Sequence, residues 1–174
     1  MSDSNRRSDT GSLRPAGSAG RSRADEPGVE STAAIARHPV HPMLVPFPIG
    51  FLVAALGGDV GYWITQDAFW ARASLWLVGA GLLTGLGAAA AGLVDFITIS
   101  RVRELRAAWI HFIGNATAIA LAAVSWILRL PDPSDAVLPG GLVLSAVITA
   151  ILGLTGWYGG ELSYRHRVGV ISDR

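Results

Sequence analysis

The chain has 174 residues, about the size of one domain, and 51% of them are hydrophobic, only 16% are charged, and the formal net charge is +1. This composition is typical of membrane proteins, and the small net charge without a basic stripe argues against a nucleic-acid partner. There is no cysteine and no lysine, which excludes disulfides, iron–sulfur clusters, thiol catalysis and Schiff-base chemistry. Histidine and carboxylate remain as the available cofactor ligands.

Residues 1–37 are rich in Ser, Gly, Arg and Asp and contain almost no bulky hydrophobic side chains. Such a segment buries too little apolar surface to offset the entropy lost on ordering, so it is predicted to be a disordered cytoplasmic tail. Arg6 and Arg7 form a twin-arginine pair, but no hydrophobic stretch follows them, and an export signal is not indicated. Residues 38–170 are predicted to form one transmembrane domain.

Four hydrophobic stretches follow the tail, and each is close to the roughly 20 residues that a helix needs to cross a bilayer. They cover residues 43–64, 75–99, 107–128 and 140–161, and the connections between them are short. Short connections make consecutive helices antiparallel neighbours. The sequence therefore predicts an all-α, integral membrane, up-down-up-down four-helix bundle. Glycines four residues apart, such as Gly57 and Gly61, predict close packing of helix backbones.

The distribution of arginine predicts the orientation. The positive-inside rule places both termini in the cytoplasm. Asp59 lies near the other face, where Arg72 or Arg129 can neutralise it, and it is not grouped with the histidines. The end with both termini and the central connection carries Arg37, Arg101, Arg103, Arg106, Arg165 and Arg167, against Arg72 and Arg129 at the other end.

Polar and ionisable side chains gather near the predicted cytoplasmic ends of the four helices. His41 precedes the first helix, Asp95 lies about one turn from the end of the second, and His111 lies roughly 6 Å into the third. An imidazole or charge inside a span is costly, so it usually faces the bundle interior and marks a site. The complete predicted layer consists of His38, His41, Asp95, His111, Asn115, Glu161 and His166.

The histidines and Asn115 also have a purely structural interpretation. In the segment His38–Pro39–Val40–His41–Pro42 the prolines suit the first turn of a helix, and both histidines can be simple interfacial residues. His111 beside Trp109 can be interfacial too. Asn115 lies one turn deeper on the same face, and the two residues form a polar stripe.

The remaining members of the layer have structural alternatives as well. Asp95 can pair with an arginine of the connection at 101–106. Glu161 precedes Arg165 by four residues, which is the favourable order for an ion pair on a helix. His166 can be an exposed residue of the C-terminal tail.

Four kinds of chemistry fit such a layer. Paired imidazoles from different helices of a bundle commonly hold b-type haem, which transfers electrons. A Zn or Cu site built from His38 or His41 with His111 and a carboxylate is the second option. The third is a proton or ion path through Asp95, His111 and Glu161, and the fourth is a latch that only fixes helix register. No hydrolase triad, P-loop or dinucleotide motif occurs.

Several short motifs form a recognisable set along the membrane portion. They are His38–Pro39–Val40–His41–Pro42 with Phe47–Pro48–Ile49–Gly50, Gly92–Leu93–Val94–Asp95–Phe96, His111 with Gly114–Asn115, Gly156–Trp157–Tyr158–Gly159–Gly160–Glu161–Leu162, and Tyr164–Arg165–His166–Arg167–Val168–Gly169–Val170. Together they cover about residues 37–170 and resemble a bacterial family of four-helix membrane proteins catalogued as domain of unknown function 2231. Arg167 departs from the family pattern, which usually has glycine there.

The resemblance implies little about activity, because the activity of the family is not established. Some members look like fusions to Rieske-type or cytochrome-type modules, which implies a redox setting, although this chain carries no such module. The family pattern includes the same residues that the depth of the helices singles out: His41, Asp95, His111, Asn115, Glu161 and His166.

We therefore predict an uncharacterised four-helix inner-membrane protein with a b-type haem or related redox site built from His41, His111 and His166. His38, Asp95, Asn115 and Glu161 are predicted to support this site, and a redox protein is the expected partner besides the lipid bilayer. The competing hypothesis is a non-enzymatic membrane subunit or a small ion or proton transporter. No catalytic residue is predicted.

Overall fold

The computed structural model describes residues 28–36 and 38–169, so most of the predicted tail lies outside the described residues. The described chain begins with a small antiparallel hairpin of β1 (Ala34–Ile35) and β2 (His38–Pro39), followed by the short helix α1 (Val40–Leu44). Residues 28–36, which the sequence assigns to the disordered tail, instead lie against one end of the bundle. We call residues 28–36 the strap.

Four long helices make up most of the described chain. They are α2 (Pro46–Thr65), α3 (Ala68–Thr98), α5 (Arg106–Arg129) and α7 (Leu142–Tyr164). The short helix α4 (Ser100–Arg103) lies between α3 and α5, and α6 (Pro133–Ala136) leads into α7 through a kinked segment (Val137–Gly141) in which Leu138 is extended. All four long helices are long and apolar enough to cross a membrane, which confirms the predicted architecture.

The junction between α2 and α3 shows why the helices end where they do. Gln66, directly after α2, has a left-handed φ of 55°, and its amide donates to the Tyr62 carbonyl. Asp67 then caps α3, because its side chain accepts a hydrogen bond from the Phe69 amide. As a result α3 begins at Ala68, well before the hydrophobic stretch at 75–99 that predicted it.

The long helices pack in a square. α2 and α5 each pack against both α3 and α7, so α2 and α5 stand at opposite corners. The side chains that α5 contributes to the central core are small, which lets the helices approach closely. Its buried members are Leu52, Ala118, Ala122, Ile148 and Leu152.

Large hydrophobic side chains cover the outside of the bundle. Trp76, Leu83 and Trp157, for example, are 74%, 72% and 78% exposed. Apolar exposure on this scale is rare in water-soluble monomers, whereas the hydrocarbon of a bilayer accommodates it. The surface and the four apolar helices together indicate a lipid environment.

The two ends of the bundle differ in what they carry. The strap, α1, α4 and the chain after Tyr164 lie at the end that we call the histidine end. A second, smaller core of Val102, Ala107, Ala108 and Leu162 closes this end. The junction of α2 with α3 lies at the other end, together with α6 and the kinked segment that follows it, and we call this end the opposite end.

Candidate functional site

His41 lies in α1, and α3 fixes the orientation of its ring. The His41 Nδ1 atom is 2.8 Å from the Ala88 carbonyl oxygen, and because a carbonyl only accepts, Nδ1 carries the proton and donates. Gly92, one turn along α3, makes room for the ring, since a Cβ atom at that position would lie 2.8 Å from Nδ1. α3 therefore both holds the His41 imidazole and accommodates it.

His111 lies in α5, and α7 holds its ring in the same way. The His111 Nδ1 atom donates to the Thr155 carbonyl oxygen over 2.9 Å. Gly159, one turn further along α7, makes room here, because a Cβ atom there would lie 3.0 Å from His111 Cε1. Each imidazole thus rests on a neighbouring helix through one hydrogen bond and one glycine.

The two rings meet inside the histidine end. Their centroids are 6.0 Å apart and their planes are nearly perpendicular, at 85°. Because both Nδ1 atoms are protonated and donate to carbonyls, the Nε2 atom of each neutral imidazole is an acceptor with an available lone pair. Neither Nε2 atom has a hydrogen-bond partner among the described residues. The site therefore offers two oriented nitrogen ligands.

Asn115 supports the His111 side of this pair. Its Nδ2 atom donates to the His111 carbonyl over 2.7 Å, and its Oδ1 atom accepts from the Thr155 hydroxyl over 3.4 Å. Asn115 therefore bridges α5 and α7 directly below the bond between His111 and Thr155. Asn115 thus lies one turn from His111 on α5 and contacts α7 through Thr155.

Asp95 is engaged by the strap. Its carboxylate accepts hydrogen bonds from the Ser31 hydroxyl at 2.7 Å, the Thr32 amide at 2.8 Å, the Thr32 hydroxyl at 3.0 Å and the Ala33 amide at 2.9 Å. These four donors occupy both carboxylate oxygens. Asp95 thus fastens the strap to α3 at the histidine end, and its hydrogen bonds go to the strap rather than to either ring.

The other predicted members lie around the histidine pair. His38 is exposed and donates from Nδ1 to the Ala36 carbonyl, and Glu161 pairs with Arg165 over 3.3 Å at the surface. The backbone amide of His166, just beyond α7, donates to the Glu161 carbonyl over 3.3 Å. Within the part of the chain that the structure describes, no ring contact joins His166 to the other two histidines. The structure brings together two of the three predicted ligands.

The ligand set also bears on bare metal ions. Among residues 28–36 and 38–169, no group of three or more His, Cys, Asp or Glu side chains is arranged to hold a metal ion. A structural or catalytic zinc site normally takes at least three protein ligands. The pair alone is too small a ligand set for such a site.

A second polar cluster lies between α2 and α5 towards the opposite end. Arg129 and Asp59 form a bidentate ion pair in which Nη1 is 2.8 Å from Oδ1 and Nη2 is 2.8 Å from Oδ2. Both side chains are 0% exposed. Sequence reasoning considered Arg129 as one of two possible partners for Asp59, but it assigned no cluster to this region.

Three serines complete what we call the Asp59 cluster. The hydroxyls of Ser74 and Ser145 each donate to the Asp59 carboxylate over 2.6 Å, and Ser125 accepts from Arg129 Nε over 3.2 Å. Each of the four long helices contributes at least one member. The spacing of Ser125 and Arg129, one turn apart on α5, was the available sequence signal for it.

Comparison with known proteins agrees with the architecture. A family model described as a predicted membrane protein, DUF2231, matches residues 37–172. No curated protein and no solved structure matches the chain. Because the match spans the whole bundle, with His41, His111 and the Asp59 cluster inside it, the chain belongs to the DUF2231 family of predicted membrane proteins.

Proposed function

We propose that this protein is a membrane haem protein in which His41 and His111 would hold a b-type haem. The observation that carries the proposal is the pair of oriented imidazoles whose Nε2 atoms have no partner among the described residues. A histidine that binds a metal through one nitrogen commonly donates its other ring N–H to a backbone carbonyl, as both rings do here.

The donor set fits haem better than it fits a bare ion. Haem iron takes four equatorial ligands from its own macrocycle and needs only two from the protein, whereas zinc needs three or four protein ligands. Two nitrogens that each lie about 2 Å from one metal bring their ring centres to roughly 6 Å. The 6.0 Å separation of the two rings is consistent with this arrangement.

The bound haem would supply one-electron transfer within the membrane, and the protein residues would hold and tune it. Ala88 and Thr155 keep each imidazole in the tautomer that presents Nε2. Gly92 and Gly159 leave the rings in place without steric conflict. Because two histidines would hold the haem, the expected role is electron transfer to a redox partner rather than oxygen binding.

An absorption spectrum tests the proposal. The full chain is expressed with haem supply, purified in detergent, and measured as a reduced-minus-oxidised difference spectrum. We expect a sharp Soret and α band that is lost in the variants His41→Ala and His111→Ala. The matched controls are His38→Ala and His166→Ala, which we expect to keep the bands. A preparation that remains colourless under haem supply contradicts the proposal.

A second candidate is a membrane subunit whose polar groups only hold the helices together. The observation in its favour is that the carboxylates of Asp95 and Asp59 each accept four hydrogen bonds from within the chain. Carboxylates whose hydrogen-bonding capacity is used in this way are poorly suited to bind and release ions or protons. The observation therefore favours a structural subunit over a transporter. In that case His111→Ala lowers stability, and no difference spectrum exists to lose.

The location proposed with this function is a bacterial inner membrane, with both termini in the cytoplasm. The support is the excess of arginine at the histidine end, where Arg101, Arg103, Arg106, Arg165 and Arg167 lie outside the long apolar segments. The histidine pair would then lie near the cytoplasmic side of the bilayer, within reach of a soluble electron carrier.

A further inference from the structure

Equal spacings relate the first and second halves of the chain. His41 and Asp59 are 18 residues apart, and so are His111 and Arg129. Adding 70 to the residue numbers of the first pair therefore gives those of the second pair. The same shift relates four of the five buried positions of α2 to buried positions of α5, both helices being fully described. The matched positions are Pro48 with Ala118, Leu52 with Ala122, Ala55 with Ser125, and Asp59 with Arg129.

The helices α3 and α7 are related in the same way, by a shift of 67 residues. Ala88, which accepts from His41, is matched by Thr155, which accepts from His111, and Gly92 is matched by Gly159. Of the six buried positions of α3, all in the described chain, five have buried counterparts at this shift. They are Ser74 with Gly141, Val78 with Ser145, Gly81 with Ile148, Gly85 with Leu152, and Ala88 with Thr155.

The contacts between helices obey the relation too. α2 packs on α3 as α5 packs on α7, and the contact of α3 with α5 is matched by that of α7 with α2. Equivalent residues of two related halves can touch only close to the axis that relates them. His41 meets His111 at one end, and Asp59 meets Arg129 at the other.

Ordinary helix periodicity does not account for these matches. Buried positions spaced four and three residues apart occur in most amphipathic helices, so a match within one helix pair carries little weight. Here a single shift for each helix pair also relates the histidines, the carbonyls that they bond, the glycines beneath them and the charged pair. The sequences of the halves have few identical residues at these positions, and the relation emerges only from burial and contacts.

We infer that the bundle consists of two equivalent helical hairpins, α1–α3 and α5–α7, and that the histidine pair is one site on the pseudo-two-fold axis between them. A ligand at this site would be held by both imidazoles in equivalent ways. The identity of this ligand as haem rests on the proposed function, whereas the internal axis does not.

Equivalence of the two ligands is tested by replacing one imidazole at a time with a thioether. His41→Met and His111→Met each leave one histidine and offer one methionine, a ligand pair that raises the haem potential. We expect the two variants to shift the potential and the α band in the same direction and by similar amounts. If one variant keeps the parent spectrum while the other loses it, the shared site is refuted.

The internal axis has its own test, which needs no haem. Asp59→Arg or Arg129→Asp alone places two like charges in a buried site, and we expect folded yield to fall roughly tenfold or more. The exchange D59R/R129D is combined with S74G/G141S, because Gly141 leaves space for the Arg129 guanidinium and Ser74 is its equivalent position. The fourfold variant thus moves both charges, one serine and the glycine to their equivalent positions. We expect this fourfold variant to recover most of the parent yield on size-exclusion chromatography in detergent.

The outcomes of the two tests can be told apart. If the parent protein is colourless and the exchange variant folds, the haem assignment fails and the two-fold axis stands. If haem binds but the exchange variant aggregates as badly as Asp59→Arg, the axis is refuted and the haem site stands. Recovery by exchange together with equal methionine shifts supports both.

Discussion

At both ends of the bundle, polar side chains inside an apolar assembly have their charges or hydrogen-bonding groups satisfied by neighbouring residues. Asp59 and Arg129 neutralise each other and take their remaining hydrogen bonds from serines. His41 and His111 each donate a hydrogen bond from Nδ1 to a backbone carbonyl. The two Nε2 atoms at the histidine end have no hydrogen-bond partner among the described residues, which is why we assign chemistry to that end.

The ion pair predicts a large asymmetry between single and double substitutions. Arg129→Met leaves the Asp59 carboxylate buried and unpaired, and we expect a loss of about 3–5 kcal/mol. The double variant Asp59→Leu/Arg129→Met removes both charges and should recover most of that loss. Unfolding by titration with a denaturing detergent measures each value.

The control for that experiment is the surface pair. Arg165→Met removes the partner of Glu161, and because Arg165 is largely exposed we expect a change of at most about 0.5 kcal/mol. A single Arg129→Met variant as stable as the parent would mean that the buried pair contributes nothing to the assembly.

The glycines beneath the histidines predict a selective loss of the site. A methyl group at Gly92 or Gly159 would lie 2.8 Å or 3.0 Å from an imidazole atom and push the ring off its carbonyl. We expect Gly92→Ala and Gly159→Ala each to weaken haem binding by roughly tenfold, since misplaced ligands lose coordination. Gly87→Ala and Gly156→Ala are matched controls on the same helices, because nothing lies within 4 Å of either added atom. Haem titration separates the two sets, and equal losses in both would contradict the packing argument.

At the scale of elements, the positions of the helices in the sequence were predictable, but the orientation of each helix about its own axis was not. Length and hydropathy identify a membrane helix, so the four spans followed from the sequence alone. Which face of α5 meets α1 depends on packing, and the sequence therefore left His111, His41 and His166 as one undivided group. The ordered strap was missed because its composition is polar, and its donors are satisfied by Asp95, more than 60 residues away.

Arg167 illustrates what a family pattern adds to such reading. The family resemblance implies glycine at this position, and the φ of Arg167 is 51°, in the left-handed region that glycine adopts without strain. The turn carries the strap, since the Val29 amide donates to the Arg167 carbonyl over 3.0 Å. A glycine at this position would meet the need for a left-handed backbone, which the helix and strand propensities of a single sequence do not reveal.

The strap predicts a local response to Asp95. An amide at position 95 offers one oxygen acceptor in place of two and presents an N–H group to donors, so Asp95→Asn should break part of the set made by Ser31, Thr32 and Ala33. We expect faster hydrogen exchange at the Thr32 and Ala33 amides, with a loss of about 1–3 kcal/mol in that local protection. Glu161→Gln, at the same end, is the control and should leave the strap protected. Unchanged exchange in Asp95→Asn would show that the carboxylate does not hold the strap.

At the scale of the whole molecule, the orientation in the membrane is directly testable because the sequence contains no cysteine. A single cysteine introduced at Ala34, in the strap, or at Ser134, in α6, is the only thiol in the chain. With the termini in the cytoplasm, we expect an impermeant thiol reagent added to whole cells to label Ser134→Cys and spare Ala34→Cys. The reverse pattern would overturn the proposed orientation, and labelling after cell lysis controls for accessibility.

The buried ion pair also constrains how the chain is made. Ribosomes release α2 with Asp59 well before α5 with Arg129, so the acid enters the bilayer without its partner. A lone carboxylate in a helix at membrane depth costs up to about 3 kcal/mol for insertion, less near an interface, and the apolar remainder of α2 has to outweigh it. The first hairpin can therefore complete this ion pair only after all of α5 has been synthesised, because Arg129 is the last residue of α5. The positions of Asp59 and Arg129 in the sequence therefore determine when this ion pair can form during synthesis.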